Sequence, residues 1–277
     1  MKKSFNKKLC SALVISVLST IGMSSNVLAD EEHNDDIYAP MPKNAGYFDV
    51  AFGVGIGESV LKTEDDDVYL NIHPRFGYRW DNLFLETGKL GQRGVGIGYN
   101  FYENNNWEID ALLHMSHPQI SDEDNDALKG IREREGDGRL GLRATRYFDN
   151  AQLRFIVSPK SVSHGDDGVY AGVWYGKQWR YNDWDLHANL GAEYFSEEIL
   201  EHFYGTDPLL DGEGFAAYTA DSGVVLSAQV GASYDITENW RFELYANLAK
   251  VPDAIADSPL TDDDMQNAVG FNFVYRF

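Results

Sequence analysis

The stretch Trp184-Asp185-Leu186-His187-Ala188-Asn189-Leu190-Gly191-Ala192-Glu193-Tyr194 alternates without a break. Trp184, Leu186, Ala188, Leu190, Ala192 and Tyr194 take every second place, with Asp185, His187, Asn189, Gly191 and Glu193 between them. A helix would scatter the apolar set around its circumference, whereas a strand gathers it on one side. The segment is therefore a strand with one greasy and one wet face.

Nine other segments repeat the pattern. In residues 45–57 the apolar face is Phe48, Val50, Phe52, Val54 and Ile56, opposite Tyr47, Asp49 and glycines. Val68, Leu70, Ile72, Pro74, Phe76 and Tyr78 oppose Asn71, His73 and Arg75; Val95, Ile97, Tyr99 and Phe101 oppose glycines and Asn100. Trp107, Ile109, Ala111, Leu113 and Met115 alternate with Glu108, Asp110 and His114. Leu140, Leu142 and Ala144 face away from Arg139 and Arg143, and Leu153, Phe155 and Val157 from Arg154. Near the end come the Val224, Trp240 and Val269 segments, with Arg241, Glu243 and Arg276 on their polar sides. Residues 83–90 and 169–179 are strand-like but less regular, which brings the count to about twelve.

Alternation also suits a soluble sandwich, so strand length and connections decide. Runs of about ten residues at ~3.3 Å each, tilted ~45°, span roughly 23 Å, close to the ~25 Å apolar band of an outer-membrane barrel. Short Asp/Asn turns at 79–82, 103–106, 149–150, 180–183 and 235–239 alternate with connections at 58–67, 89–92, 116–137, 159–167, 196–222 and 250–265, all but one of them long. Aromatics flank the short turns (Tyr78 and Trp80, Tyr102 and Trp107, Tyr147 and Phe148, Trp179 and Trp184, Tyr234 and Trp240), as amphipathic rings do at headgroup level. Arg146 falls on the apolar side near a strand end, where its cost is ~0–1 kcal/mol. The expected fold is all-β: an antiparallel transmembrane β-barrel of about twelve strands with both termini in the periplasm.

Composition agrees. The chain has 277 residues, 23 Lys+Arg against 44 Asp+Glu, and a net charge of −21. Such an acidic balance argues against nucleic-acid partners. Residues 1–29 read as a cleaved signal peptide: Lys2, Lys3, Lys7 and Lys8, then a short apolar stretch, then Val27-Leu28-Ala29. Cleavage removes those four lysines and no acid, taking the net to −25, and removes Cys10, the only cysteine. No disulfide, thiolate metal site or cysteine nucleophile then remains. Residues 30–44 are expected to form a periplasmic N-terminal segment, and residues 45–277 the barrel.

The chain closes on Val269, Phe271, Phe273, Tyr275 and Phe277, an ending that resembles the assembly signal read by the outer-membrane insertion machinery. A strand with one apolar face and free backbone groups can add to another sheet's edge. The candidate lumen-lining residues are Asp49, Arg75, Glu108, Asp110, Arg139, Arg143, Arg154, Glu193, Arg241, Glu243 and Arg276. They would either line a narrow wet path or cross-pair and plug it; at twelve strands both fit.

The C-terminal third resembles the MipA/OmpV family of outer-membrane proteins. Residues 201–208, with Tyr204-Gly205, resemble the family's Tyr-Tyr-Gly-Val segment; Ala217-Tyr218 followed by Asp221-Ser222-Gly223 resembles its Tyr-x-Pro-Gly-Ser-Gly stretch; and Asp257-Ser258-Pro259-Leu260 resembles its Asp-Ser-Pro-Leu element ahead of Tyr275-Arg276-Phe277. Thr219-Ala220 stands where the family has a Pro-Gly-like pair. The resemblance implies an outer-membrane protein without catalytic chemistry or cofactor. One family member is implicated as a scaffold linking a periplasmic lytic transglycosylase and a murein synthase, and such a role in envelope organisation is the leading expectation for this chain. The alternative from another class is a narrow pore for small solutes.

Three chemical readings compete with these. Asp122, Asp124, Asp126 and Glu133 have the spacing of an EF-hand loop, but Ala127 sits where the turn wants glycine; a solvated acidic loop is the simpler reading. Acidic clusters at 64–67 and 262–264 could gather divalent cations that bridge to lipopolysaccharide phosphates. His114, Ser116 and His117 invite a hydrolase reading, with no carboxylate orienter legible in the sequence.

Overall fold

The computed structural model describes residues 37–63, 68–87, 90–91, 93–122, 126–163, 168–211 and 214–277. Residues 1–29, expected to be a signal peptide, residues 30–36 and the acidic cluster at 64–67 lie outside them. Twelve antiparallel strands close on themselves. In order they are β1 (Ala45–Glu58), β2 (Val68–Trp80), β3 (Leu83–Thr87), β4 (Arg93–Glu103), β5 (Trp107–His117), β6 (Asp137–Phe148), β7 (Ala151–Ser161), β8 (Tyr170–Tyr181), β9 (Trp184–Phe195), β10 (Gly223–Asp235), β11 (Trp240–Lys250) and β12 (Met265–Arg276).

Each strand pairs with its chain neighbours, and β1 pairs with β12 from Asp49↔Arg276 to Glu58↔Asn267. Closure leaves no edge strand, which is what lets a sheet stand in hydrocarbon, although β2 pairs with β3 only over Gly77–Trp80. Among the described residues no helix is long and apolar enough to cross a membrane; the crossing is by strands. Of the two irregular segments, β3 is only 5 residues long. β8 is regular, and its second apolar face is inward: Tyr170 and Trp174 are both buried.

Alternation fixes which side chains meet lipid. Phe52, Ile56, Leu70, Ile72, Ile97, Leu142, Leu190 and Val230 are all exposed, and their strand neighbours point inward. The short turns close tightly because Asp81, Asn150 and Asn182 take positive φ, which Asx side chains tolerate. Most flanking aromatics project outward, Trp80, Phe148 and Trp179 among them. Tyr147 does not: its hydroxyl donates inward to Glu108. Arg146 lies 5.3 Å above the Trp107 ring and 5.4 Å above that of Phe148, so its charge sits on aromatic faces.

Two features lay beyond the strand pattern. The loop after β9 carries helix α1 (Glu197–Tyr204), and the loop after β11 carries a short helix α2 (Asp253–Ala256). Ile199, Leu200, Phe203 and Tyr204 line one buried face of α1. They join one apolar core with Ile120, Leu128, Ile131, Phe215, Ile255 and Leu260 from the long loops and with Tyr170, Trp174, Phe195 and Val225 from the wall. The long connections thus turn partly inward and fill that half of the barrel.

At the short-turn end, residues 37–41 run inside the wall. Ile37, Tyr38 and Met41 are buried. The Ile37 N–H donates to Gln178 Oε1 at 2.9 Å, the Tyr38 hydroxyl donates to Asn189, and Arg79 donates to the Met41 carbonyl at 3.1 Å. Gly176 makes room for this segment: a Cβ there would lie 2.6 Å from the Tyr38 ring.

Candidate functional site: a filled lumen

Charge on the inward faces is organised as ion pairs, some between neighbours on adjacent strands and some reaching across several strands. All eleven sequence-selected residues, from Asp49 to Arg276, are buried. Arg143 on β6 is held by Asp110 at 2.8 Å and by Glu86 of β3. Arg79 on β2 binds Glu108 at 2.8 Å and Glu103 at 2.7 Å. Arg75 meets Glu243 of β11 at 3.1 Å. Arg241 and Arg276 converge on Asp235 at 2.6 and 2.9 Å. Arg139 meets Asp137 at 2.7 Å. Arg154 instead donates to the Leu90 carbonyl at 2.7 Å.

One pair crosses the lumen. Arg93 on β4 and Glu193 on β9 are five strands apart around the wall, yet they bond at 2.5 Å. The Tyr170 hydroxyl adds a bond to Glu193 at 2.8 Å, and Arg93 also donates to the Ser116 carbonyl at 3.0 Å. Neither Arg93 nor Glu86, Glu103 and Asp137 were among the sequence-selected lining residues. Glu86 lies on the irregular β3, and the others lie at strand ends where alternation fades.

A charge removed from water costs several kcal/mol unless it is paired and hydrogen-bonded. Most of the charges meet that requirement as ion pairs, with Arg154 held by a carbonyl instead, so they tie the wall together and narrow the bore. Beneath the long loops the filling is apolar; at the short-turn end it is residues 37–41. Two cavities within this packing are small: about 90 Å³ beside Trp174 and about 20 Å³ beside Arg154.

The competing chemical readings meet their geometry here. The Ser116 hydroxyl donates to Asp137 at 2.5 Å, so a carboxylate is present. The histidines, however, go elsewhere: His114 bonds Ser158 Oγ at 2.7 Å, and His117 bonds the Tyr204 hydroxyl at 3.0 Å. Of the EF-hand-like set, Asp124 and the side chain of Asp126 lie outside the described residues. Asp122 accepts the Gly130 N–H at 2.9 Å and Glu133 accepts from Gln119 at 2.6 Å, so both are engaged within the loop. Asp262 and Asp264 face Lys62 and Lys250 at 3.8 and 3.2 Å. Among the described residues no three His, Cys, Asp or Glu side chains gather as a metal site.

In the long loops the polar groups are pinned as firmly. Arg134 and Asp211 form a fully buried pair at 3.2 Å. Ser258, within the Asp-Ser-Pro-Leu element, donates to the Tyr204 carbonyl at 2.6 Å, and Leu260 is completely buried. That element therefore locks the α2 loop onto the end of α1.

A closed barrel with an apolar outer wall and a polar, packed interior is an outer-membrane β-barrel protein. The family model described as "MltA-interacting protein MipA" matches residues 50–277. This chain belongs to the MipA family and resides in the outer membrane. The MltA-interacting protein of Escherichia coli K12 is 22% identical over 237 residues, spanning 84% of this chain and 91% of that protein. Outer membrane protein Omp26La of Vibrio anguillarum is 21% identical over 262 residues, covering 92% and 95%. Among solved structures, the NanC porin aligns with 83% of this chain and 100% of its own, at 8% identity and a TM-score of 0.40.

Proposed function

We propose that this barrel is a non-enzymatic interaction scaffold of the cell envelope, with its short turns and both termini in the periplasm. There it would dock a murein-cleaving lytic transglycosylase and, alongside it, a murein synthase. The observation that carries this reading is the filled lumen: wall ion pairs, the inward-folded long loops and residues 37–41 occupy the space a solute would need. The printed name of the Escherichia coli relative, MltA-interacting protein, supports the partner class. A second support is chemical: Ser116 and the two nearby histidines are bonded to different partners, so a serine nucleophile lacks its base.

The same reading has residues 1–29 direct export and the alternating face of β12, from Val269 to Phe277, direct assembly by the insertion machinery. Lipid and lipopolysaccharide then surround the wall. The test is co-purification of the full chain, in detergent, with a purified lytic transglycosylase of the MltA class. Saturable binding is expected. Repeated absence of binding, with the barrel shown to be folded, rejects the scaffold.

A further inference from the structure

The wall is thinnest beside β2. Its ladder with β3 runs only from Gly77↔Glu86 to Trp80↔Leu83, whereas on its other side β2 pairs with β1 from Ala45↔Arg79 to Ile56↔Val68. Two side chains end the short ladder. The Thr87 hydroxyl stands in for the next backbone pair, accepting the Phe76 N–H at 2.8 Å and donating to the Phe76 carbonyl at 3.1 Å. Two residues further along, Pro74 has no N–H to offer.

The chain leaves the wall at that point. The Thr87 carbonyl accepts the inward-facing Tyr47 hydroxyl at 2.9 Å. Leu90 is buried in the loop core and its carbonyl accepts from Arg154 of β7. Gly91 lies against the Trp174 ring of β8. β4 does not refill the space, because its ladder with β3 ends at Thr87↔Val95. A slot therefore runs along β2 from Val68 to Pro74, in the long-loop half of the wall.

Residues of a strand bond to alternate sides, so with Phe76 turned to β3 the groups facing the slot belong to Pro74, Ile72 and Leu70. Among the described residues the backbone N–H and C=O groups of Leu70 and Ile72 have no partner on that side. At ~3.3 Å per residue and ~45° tilt the slot crosses roughly 16 Å of a ~25 Å apolar band. Water is scarce at that depth and an alkyl chain offers no hydrogen bond. An extended backbone supplies donors and acceptors at the required repeat. The neighbouring side chains set its pattern, since Leu70 and Ile72 are exposed to lipid while Asn71 is buried in the bore.

We propose that the free edge of β2 docks an extended strand of a partner protein, apolar toward lipid and polar toward the bore. The edge lies on the wall away from the short turns, so it stands apart from the murein-enzyme reading and is tested separately.

Disulfide trapping in lipid nanodiscs provides the test, in a Cys10→Ser background. The probe is a short synthetic peptide of alternating valine and threonine with one central cysteine, used below saturation. Ile72→Cys puts a thiol on the free edge. Leu190→Cys puts one at similar exposure, 62% against 65%, on β9, which is paired on both sides. Trapping is expected to be at least about tenfold faster in the Ile72→Cys barrel, a ratio that two backbone hydrogen bonds supply. The same peptide N-methylated at alternate residues keeps its side chains and loses donors, and should show no preference between the two barrels. Folding is verified by heat-modifiable gel migration, and Leu70→Cys replaces Ile72→Cys if the latter does not fold. Equal trapping in the two barrels, or an N-methylated peptide that matches its parent, would overturn the docking edge. A disulfide between two Ile72→Cys barrels that excess peptide does not prevent would give the edge to a second copy of this chain and overturn the partner strand.

Discussion

Arg143 shows what a single lumen residue does. Its guanidinium satisfies two buried carboxylates from different strands, Glu86 and Asp110. Arg143→Ala removes the cation that both buried carboxylates share, and breaking a buried pair this way costs ~3–5 kcal/mol. Urea unfolding of the refolded barrel should show a loss of that order. Asp211 gives a pH signature. Burial alone would raise its carboxyl pKa, but the backbone N–H groups of Asp207 and Arg132 and the Arg134 guanidinium outweigh burial and hold it below the ordinary value. A carboxyl lowered in the folded state stabilises fully above its unfolded pKa of ~3.9, and that stabilisation is lost as pH falls through the folded value. Hydrogen exchange in the long loops, corrected for intrinsic rate, should therefore accelerate below about pH 4. Asp211→Asn should show the fast rate at neutral pH and lose the acid step.

At the scale of elements, strands were legible in the sequence and the loop interior was not. A strand facing lipid on one side and a polar bore on the other must alternate, so Trp184 to Tyr194 could be read residue by residue. Helix α1 obeys a different period. Ile199, Leu200, Phe203 and Tyr204 do mark a helical face, but they sit within a long connection read only as a spacer between strands. The strand-to-strand partners of the lumen charges were also hidden, because a pair such as Arg93 with Glu193 depends on closure rather than on any local spacing. Phe203 packs on the His117 ring at 3.8 Å. Phe203→Ala should cost ~3–5 kcal/mol, as large-to-small core changes do. The loss should fall on the loop core: limited proteolysis is expected to nick residues 116–137 and 196–222 while heat-modifiable migration persists. At β12, removal of Phe277 should leave refolding into lipid vesicles intact and lower the amount assembled in cells; unchanged assembly would remove the signal role from that residue.

For the whole molecule, the barrel was predictable and its occupancy was not. Twelve strands leave enough space for either a wet path or a packed bore, and the choice is made by segments that carry no strand signal. Residues 37–41 are the clearest case: nothing in their sequence separates them from a free tail, yet Tyr38 reaches Asn189 well inside the wall. Gln178, which accepts the Ile37 N–H, offers a direct check. In a Cys10→Ser background, Gln178→Cys provides a unique thiol. That thiol should be protected from a water-soluble maleimide in the full chain and react readily once residues 30–43 are deleted. Protection unchanged by the deletion would show that the segment does not occlude the bore. The most direct measurement for the packed lumen as a whole is planar-bilayer recording on the purified mature protein. A silent bilayer with demonstrably inserted, folded barrel is the predicted result; stable single-channel steps would contradict it and establish a pore.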